Sequence, residues 1–244
     1  MVEEEKTGFS AAEFRSRTGL LVGSDGCEKL ASAHVLVLGV GGVGGYAVEN
    51  LVRAGIGRLT LVDGDSVDPS NSNRQLSALT ENFYRDKCLV WQERCHAVNP
   101  DCQVIIHQKF IRTQADIDTL LDSDTFDYAV DAIDEIGPKI DLICSLKARA
   151  IPFVSSMGAG GKLDPGLITS ADISKTAGCP LARVVRQKLR ERRIFKGVKT
   201  IYSPEVPQRK FGDRKIGSIS YLPAVFGCFC ASEAILTIIG EKNT

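Results

Sequence analysis

Short apolar runs recur along the chain, separated by longer stretches with helical spacing. Val35–Leu38, Arg58–Asp63, Val104–His107, Tyr128–Ala132 and Pro152–Ser156 read as buried strands. Between them, Tyr46–Ala54, Phe83–Val98, Gln114–Leu121 and Pro138–Arg149 read as helices. Strand and helix in alternation predict an α/β fold: a Rossmann-like, doubly wound, mainly parallel sheet covered on both faces. The alternation loosens after residue 157, where antiparallel additions are expected. Pro223 opens a final apolar helix, Ala224–Ile239, which reads as core or dimer interface. Ahead of the first strand, residues 1–9 read as frayed, and Phe14–Leu30 carries a turn-like GSDG before a short helix. The length of 244 residues fits one domain, 1–244, with a core at 14–157 and a second part at 158–244.

The segment joining the first strand to its helix, HVLVLGVGGVGG, gives the core its chemistry. Gly39, Gly41 and Gly44 have the spacing G-x-G-x-x-G, with Gly42 and Gly45 beside them. Such a turn lets the backbone approach a polyphosphate, and the free N–H groups of the helix start face the anion. The spacing alone also suits a tight turn with no ligand. It gains weight from LTLVDGD, which ends the next strand at the right distance, with Asp63 placed to grip ribose hydroxyls. Asp65 follows as a second carboxylate.

Composition narrows the setting. Thirty basic and thirty acidic residues cancel, so net charge says nothing about partners, and 43% hydrophobic content is ordinary for a globular protein. The start, MVEEEK, is acidic where a secretory leader is basic. Ala224–Gly240 is interrupted by Ser232 and Glu233 and reads as too short and too polar for a membrane span. The eight cysteines form no C-x-x-C pair, which argues against a zinc site of usual spacing and for reduced thiols in the cytoplasm.

Between the second strand and the next helix lies a polar loop, VDPSNSNRQLSAL, longer than a plain dehydrogenase needs. It carries Asn71, Asn73, Arg74 and Gln75 toward the ligand side of the sheet, and Lys87 follows near a helix start. Two cations converging on a nucleotide suit a triphosphate being cleaved better than a hydride carrier. YAVDAID places Asp131 and Asp134 at a strand's carboxyl edge, where carboxylates hold magnesium against phosphates. The glycine turn lacks a following Lys-Ser/Thr, so this is not a P-loop. The set describes a site for ATP and Mg2+ able to transfer a phosphoryl or adenylyl group. MGAGGKLDPG, after the last core strand, is expected to line the same crevice. Cys179 is placed either to capture an acyl-adenylate or simply to start a helix before Pro180, whereas Cys228 and Cys230 read as packing. Ala182–Lys199 holds eight basic residues in helical register against one acid, Glu191, and Arg209, Lys210 and Arg214 continue it. That is either a solvated face or a surface for nucleic-acid phosphates.

GVGGVGGYAVENLVRAGIGRLTLVDGDSVDPSNSNRQ resembles the nucleotide-binding core of the E1-like activating enzymes, the superfamily of the ubiquitin-activating, ThiF and MoeB proteins. RTGLLVG, VDAIDEIGPKIDLI, IPFVSSMGAGGKLDP and SYLPAVFG resemble its tRNA threonylcarbamoyladenosine dehydratase branch. The resemblance runs from Phe14 to Ile239. It implies that Gly39, Gly41, Gly42 and Gly44 form the ATP loop, that Asp63 binds ribose with Asp65 nearby, and that Asn73, Arg74 and Lys87 contact phosphates. Asp134 would hold magnesium. Arg17 would reach the partner's site in a homodimer, which makes Arg17, Arg74, Lys87 and Asp134 the catalytic set. The implied reaction adenylates the threonylcarbamoyl carboxylate on an adenosine beside the anticodon and closes a ring, with 183–199 gripping the tRNA. The part at 158–244 would then face tRNA and the dimer partner. The alternative is adenylation of the C-terminus of a ubiquitin-like or sulfur-carrier protein. The missing C-x-x-C pairs weigh against that alternative. Asp86 stands before Lys87 where the resemblance leads one to expect glycine.

Overall fold

The computed structural model describes residues 10–208 and 216–241, so residues 1–9, for which fraying was the expectation, and the basic positions Arg209, Lys210 and Arg214 lie outside the described residues. Seven strands form one sheet: β1 (His34–Leu38), β2 (Arg58–Val62), β3 (Gln103–His107), β4 (Tyr128–Asp131), β5 (Phe153–Ser156), β6 (Thr169–Asp172) and β7 (Lys199–Tyr202). Their order is β3-β2-β1-β4-β5-β7-β6, with every pair parallel except β6 and β7. The predicted parallel sheet with an antiparallel addition is the fold observed.

Side chains of successive strand residues point to opposite faces, and both faces of this sheet are covered. Val35 and Val37 enter a cluster with Leu51, Trp91 and Phe226, whereas Leu36 and Leu38 enter another with Ile117, Leu120 and Leu142. The first layer comprises α1 (Ala11–Ser32), α2 (Gly44–Ala54), α3 (Lys87–Val98) and α7 (Tyr221–Ile239). The second comprises α4 (Gln114–Asp122) and α5 (Ile136–Ala148), with α6 (Pro180–Glu191) packed on α5. The turn expected at GSDG survives as a kink at Gly23, φ 73°, inside α1.

Three expectations need correction. α7 has 19 residues and the length and apolarity of a membrane span, more than the reading from Ala224 allowed. In the fold it packs on α2, β4 and β5, and a Cβ at Gly227 would lie 2.4 Å from the Val43 carbonyl oxygen. Its buried Glu233 pairs with Lys199 at 3.3 Å. Cys228 is exposed while Cys230 is buried, because residues two apart on a helix do not share a face. The basic stretch is not one helix: α6 ends at Glu191, residues 192–198 turn, and Lys199 opens β7. Half of its cations are also committed. Arg186 donates to Thr176, Lys188 pairs with Glu191, Arg192 with Asp141 and Lys199 with Glu233.

Candidate nucleotide site

The carboxyl ends of β1, β2, β4 and β5 open into one crevice of about 1270 Å³. Strand order reverses between β1 and β4, and at such a switch point the loops diverge and leave room for a ligand. Gly39, Gly41, Gly42, Asp63, Asp65, Arg74, Lys87 and Asp134 all line it.

β1 ends in a turn at Gly39, φ 83°, whose N–H donates to the Val62 carbonyl at 2.8 Å. A Cβ on Gly39 would stand 2.8 Å from the Ala132 carbonyl oxygen, and one on Gly44 only 1.7 Å from that of Gly39. The two outer glycines are therefore required by the backbone itself. Gly44 sits in the first turn of α2, two residues earlier than the predicted helix start. No side chain caps that end, and although the Gly45 N–H donates to the Gly41 carbonyl at 2.9 Å, the end as a whole presents its positive dipole to an anion.

Asp63 ties the turn to β2. Its carboxylate accepts the Val40 N–H at 2.8 Å and the Asp65 N–H at 2.9 Å. Burial raises its carboxyl above the ordinary range, and the Lys87 charge and the two N–H donors offset this only in part. Lys87 is 5% exposed, and its Nζ donates to Asp65 Oδ2 at 2.8 Å. The helix expected from Phe83 begins only at Lys87, because Tyr84 and Arg85 fold back on Val67 with two 2.8 Å backbone bonds. Asp86 has φ −60°, which any L residue adopts, so glycine is not needed before the lysine.

The polar loop is built on a capping box in which Asp68 and Asn71 bond reciprocally. It brings Asn71, Arg74 and Gln75 to the crevice. Arg74 donates to the Ser70 carbonyl at 3.2 Å and to Asn73 Oδ1 at 2.9 Å, while Asn73 Nδ2 donates to the Ser218 carbonyl at 3.0 Å. Asn73 thus links the arginine to the segment before α7 and is not itself in the crevice wall.

The two aspartates of YAVDAID, Asp131 at the end of β4 and Asp134 beyond it, have separated. Asp131 is fully buried, 2.8 Å from the equally buried Lys139 Nζ, and accepts the Ser155 hydroxyl at 2.6 Å. Lys139 also donates to the Ile133 carbonyl at 2.8 Å, so the pair shapes the loop that presents Asp134. Asp134 is exposed and lines the crevice beside Glu135. Among the described residues no three His, Cys, Asp or Glu side chains form a metal cluster. A magnesium ion held by one or two carboxylates and substrate phosphates needs no such cluster, and the donors here fit it.

The sequence reading missed Lys109, Phe110 and Lys139. Phe110 follows β3, covers Gly64 and contributes a half-exposed apolar wall, with the Arg112 guanidinium 4.6 Å from its ring centroid. Its signal was the position just beyond a strand's carboxyl end. Of the glycine-rich loop expected here, Met157–Gly160 line the crevice after Ser156 of β5, whereas residues 161–166 do not. Cys179 is both the residue before α6 and part of the wall, and its thiol stands near the buried Lys162. Burial lowers the Lys162 ammonium, which donates to the Ser203 carbonyl at 2.7 Å. Arg17 lies on the exposed side of α1 and is not part of this crevice.

Comparison with known proteins agrees with this geometry. The chain is 46% identical over 192 residues to the tRNA threonylcarbamoyladenosine dehydratase of Bacillus subtilis, covering 79% of this chain and 75% of that protein. It is 35% identical to the dehydratase of the same name from Haemophilus influenzae, covering 92% and 93%. The solved structure of the Escherichia coli enzyme in complex with ATP superposes with a TM-score of 0.88 at 34% identity, over 94% of this chain and 95% of that one. The family model described as the ThiF family matches residues 15–244, and the chain belongs to that family.

Proposed function

We propose that this chain catalyses the ATP-dependent dehydration of N6-threonylcarbamoyladenosine in tRNA, and so works in the cytoplasm. The free carboxylate of the modified base attacks the α-phosphorus of ATP, forming an acyl-adenylate and releasing pyrophosphate. The neighbouring carbamoyl group then attacks the activated carbonyl, closes a ring and expels AMP, with net loss of one water. The reading is carried by one juxtaposition: a glycine turn, Asp63, Arg74, Lys87 and Asp134 around a single crevice, in a chain whose relatives bear that name. No protein nucleophile is needed, because the ring-closing group belongs to the substrate. Holding carboxylate, phosphorus and carbamoyl group in line is the main catalytic task.

Within this reading, Gly39, Gly41 and Gly42 with the uncapped start of α2 receive the phosphates, Gly44 permits the tight turn that presents them, and Asp63 accepts the ribose hydroxyls. Lys87 shares its charge between Asp65 and a phosphate, and Arg74, steadied by Asn73, offers a second cation. Asp134 would hold Mg2+, which neutralises phosphate charge during the transfer. Arg17 acts on the crevice of a second copy. α1 supports such a homodimer by exposing Leu20 and Leu21, 81% and 87% accessible, on the segment that carries Arg17. Unpaired cations after the crevice face the tRNA.

Pyrophosphate exchange tests the substrate class. Exchange into ATP should require tRNA bearing threonylcarbamoyladenosine and be absent with unmodified tRNA. Exchange that appears only with a ubiquitin-like or sulfur-carrier protein would replace this reading by carrier-protein adenylation.

A further inference from the structure

The segment behind the crevice ends in an aromatic ring that packs on no core. α6 starts at the crevice wall, where Cys179, Pro180 and Leu181 line it, and its 12 residues carry the chain about 18 Å away. Ala182, Val185 and Leu189 face the core. Arg183, Arg190, Arg193 and Lys196 are exposed, and none forms an ion pair among the described residues. Among them stands Phe195, 62% exposed.

The turn that displays this ring is fastened from three sides. Ile194 packs into the cluster under α6. The N–H groups of Gly197 and Val198 both donate to one Asp172 carboxylate oxygen, at 2.6 and 3.1 Å. Lys147 donates to the Gly197 carbonyl at 2.9 Å. Arg193 also holds φ 63°, a left-handed conformation that helix ends ordinarily give to glycine. A fixed turn therefore keeps a large apolar side chain in water between free cations. An aromatic face flanked by cations matches an unpaired nucleotide, whose base stacks and whose phosphates pair with the charges. An acidic peptide would satisfy the cations but leave the planar ring without a matching surface.

We propose that this turn is a preformed RNA contact, in which Phe195 stacks on an unpaired base of the substrate tRNA while Arg190, Arg193 and Lys196 hold adjoining phosphates. The contact rests on the tRNA reading above and adds a second anchor about one α6 length from the reacting adenosine.

The test uses the full-length chain and an unmodified tRNA transcript, with affinity measured by anisotropy across a salt series. Phe195→Ala should weaken binding about tenfold with unchanged salt slope, and Phe195→Trp should restore it. The double variant Arg190→Gln, Lys196→Gln should lower the slope by about 1.4, near 0.7 for each single-strand phosphate left without its cation. ATP affinity and melting temperature should not move in any of them. Parental tRNA affinity in Phe195→Ala, or weakening that tryptophan fails to restore, overturns the proposal. If the wild type dehydrates the modified tRNA but these variants bind normally, the Phe195 anchor alone falls. If the wild type does not react, the functional reading falls, and the binding series still decides the anchor.

Discussion

Asp131 and Lys139 show how a side chain outside the crevice can shape it. Both are fully buried, and the lysine bridges the carboxylate and the Ile133 carbonyl, fixing the loop that carries Asp134. Removing one member of a buried pair strands the other charge in a low dielectric. Lys139→Met should therefore cost about 3–5 kcal/mol in chemical denaturation, although the replacement is apolar and of similar length. Asp63 gives a pH signature. Its carboxyl is raised by burial, so protonation begins at higher pH than for an ordinary aspartate. The ionised form is the one that accepts ribose hydroxyls. ATP affinity should thus hold at neutral pH and fall as pH drops through the raised value. In titration calorimetry across pH, Asp63→Asn should bind weakly throughout and lose that dependence.

At the scale of elements, the glycine turn separates into structural and ligand-facing positions. A Cβ on Gly44 meets the Gly39 carbonyl at 1.7 Å, whereas one on Gly41 meets only the Gln75 amide at 3.5 Å. Gly44→Ala should destabilise the protein by about 3 kcal/mol or more, read as a lowered melting temperature. Gly41→Ala should melt like the parent while weakening nucleotide binding, since a methyl group enters the crevice wall. This division explains what could be read from sequence. Strands buried on both faces appear as unbroken apolar runs, so β1, β2, β4 and β5 were found within a residue or two. The carboxyl ends of those strands then pointed to Asp63, the polar loop and Asp134. What periodicity could not show was tertiary. The start of α3 at Lys87 depends on residues 84–85 pairing with Val67. The break of the basic stretch at residue 192 depends on Asp172 capturing Gly197 and Val198. Lys139 stands inside VDAIDEIGPKIDLI yet drew no role, because a buried lysine looks like a surface lysine until its partner is known. Asp131, likewise, looked as available to a metal as Asp134.

The whole molecule raises the question of how many chains make one site. Arg17 lies on the exposed side of α1 and outside its own crevice, so the proposed catalytic set is complete only across two copies. Arg17→Ala and Asp134→Ala should each be inactive alone. Mixed and reassembled, they should recover up to about a quarter of parental activity, because half the dimers then hold one intact site. Inactive mixtures that nonetheless exchange subunits would place Arg17 outside the reaction. The dehydratase activity itself is decided by its product. The protein, ATP, magnesium and tRNA bearing threonylcarbamoyladenosine are incubated together, the nucleosides are analysed by mass spectrometry, and AMP is counted. The modified nucleoside should lose the mass of one water, with one AMP released for each nucleoside converted. An unchanged nucleoside, or AMP released without that loss, would contradict the proposed function.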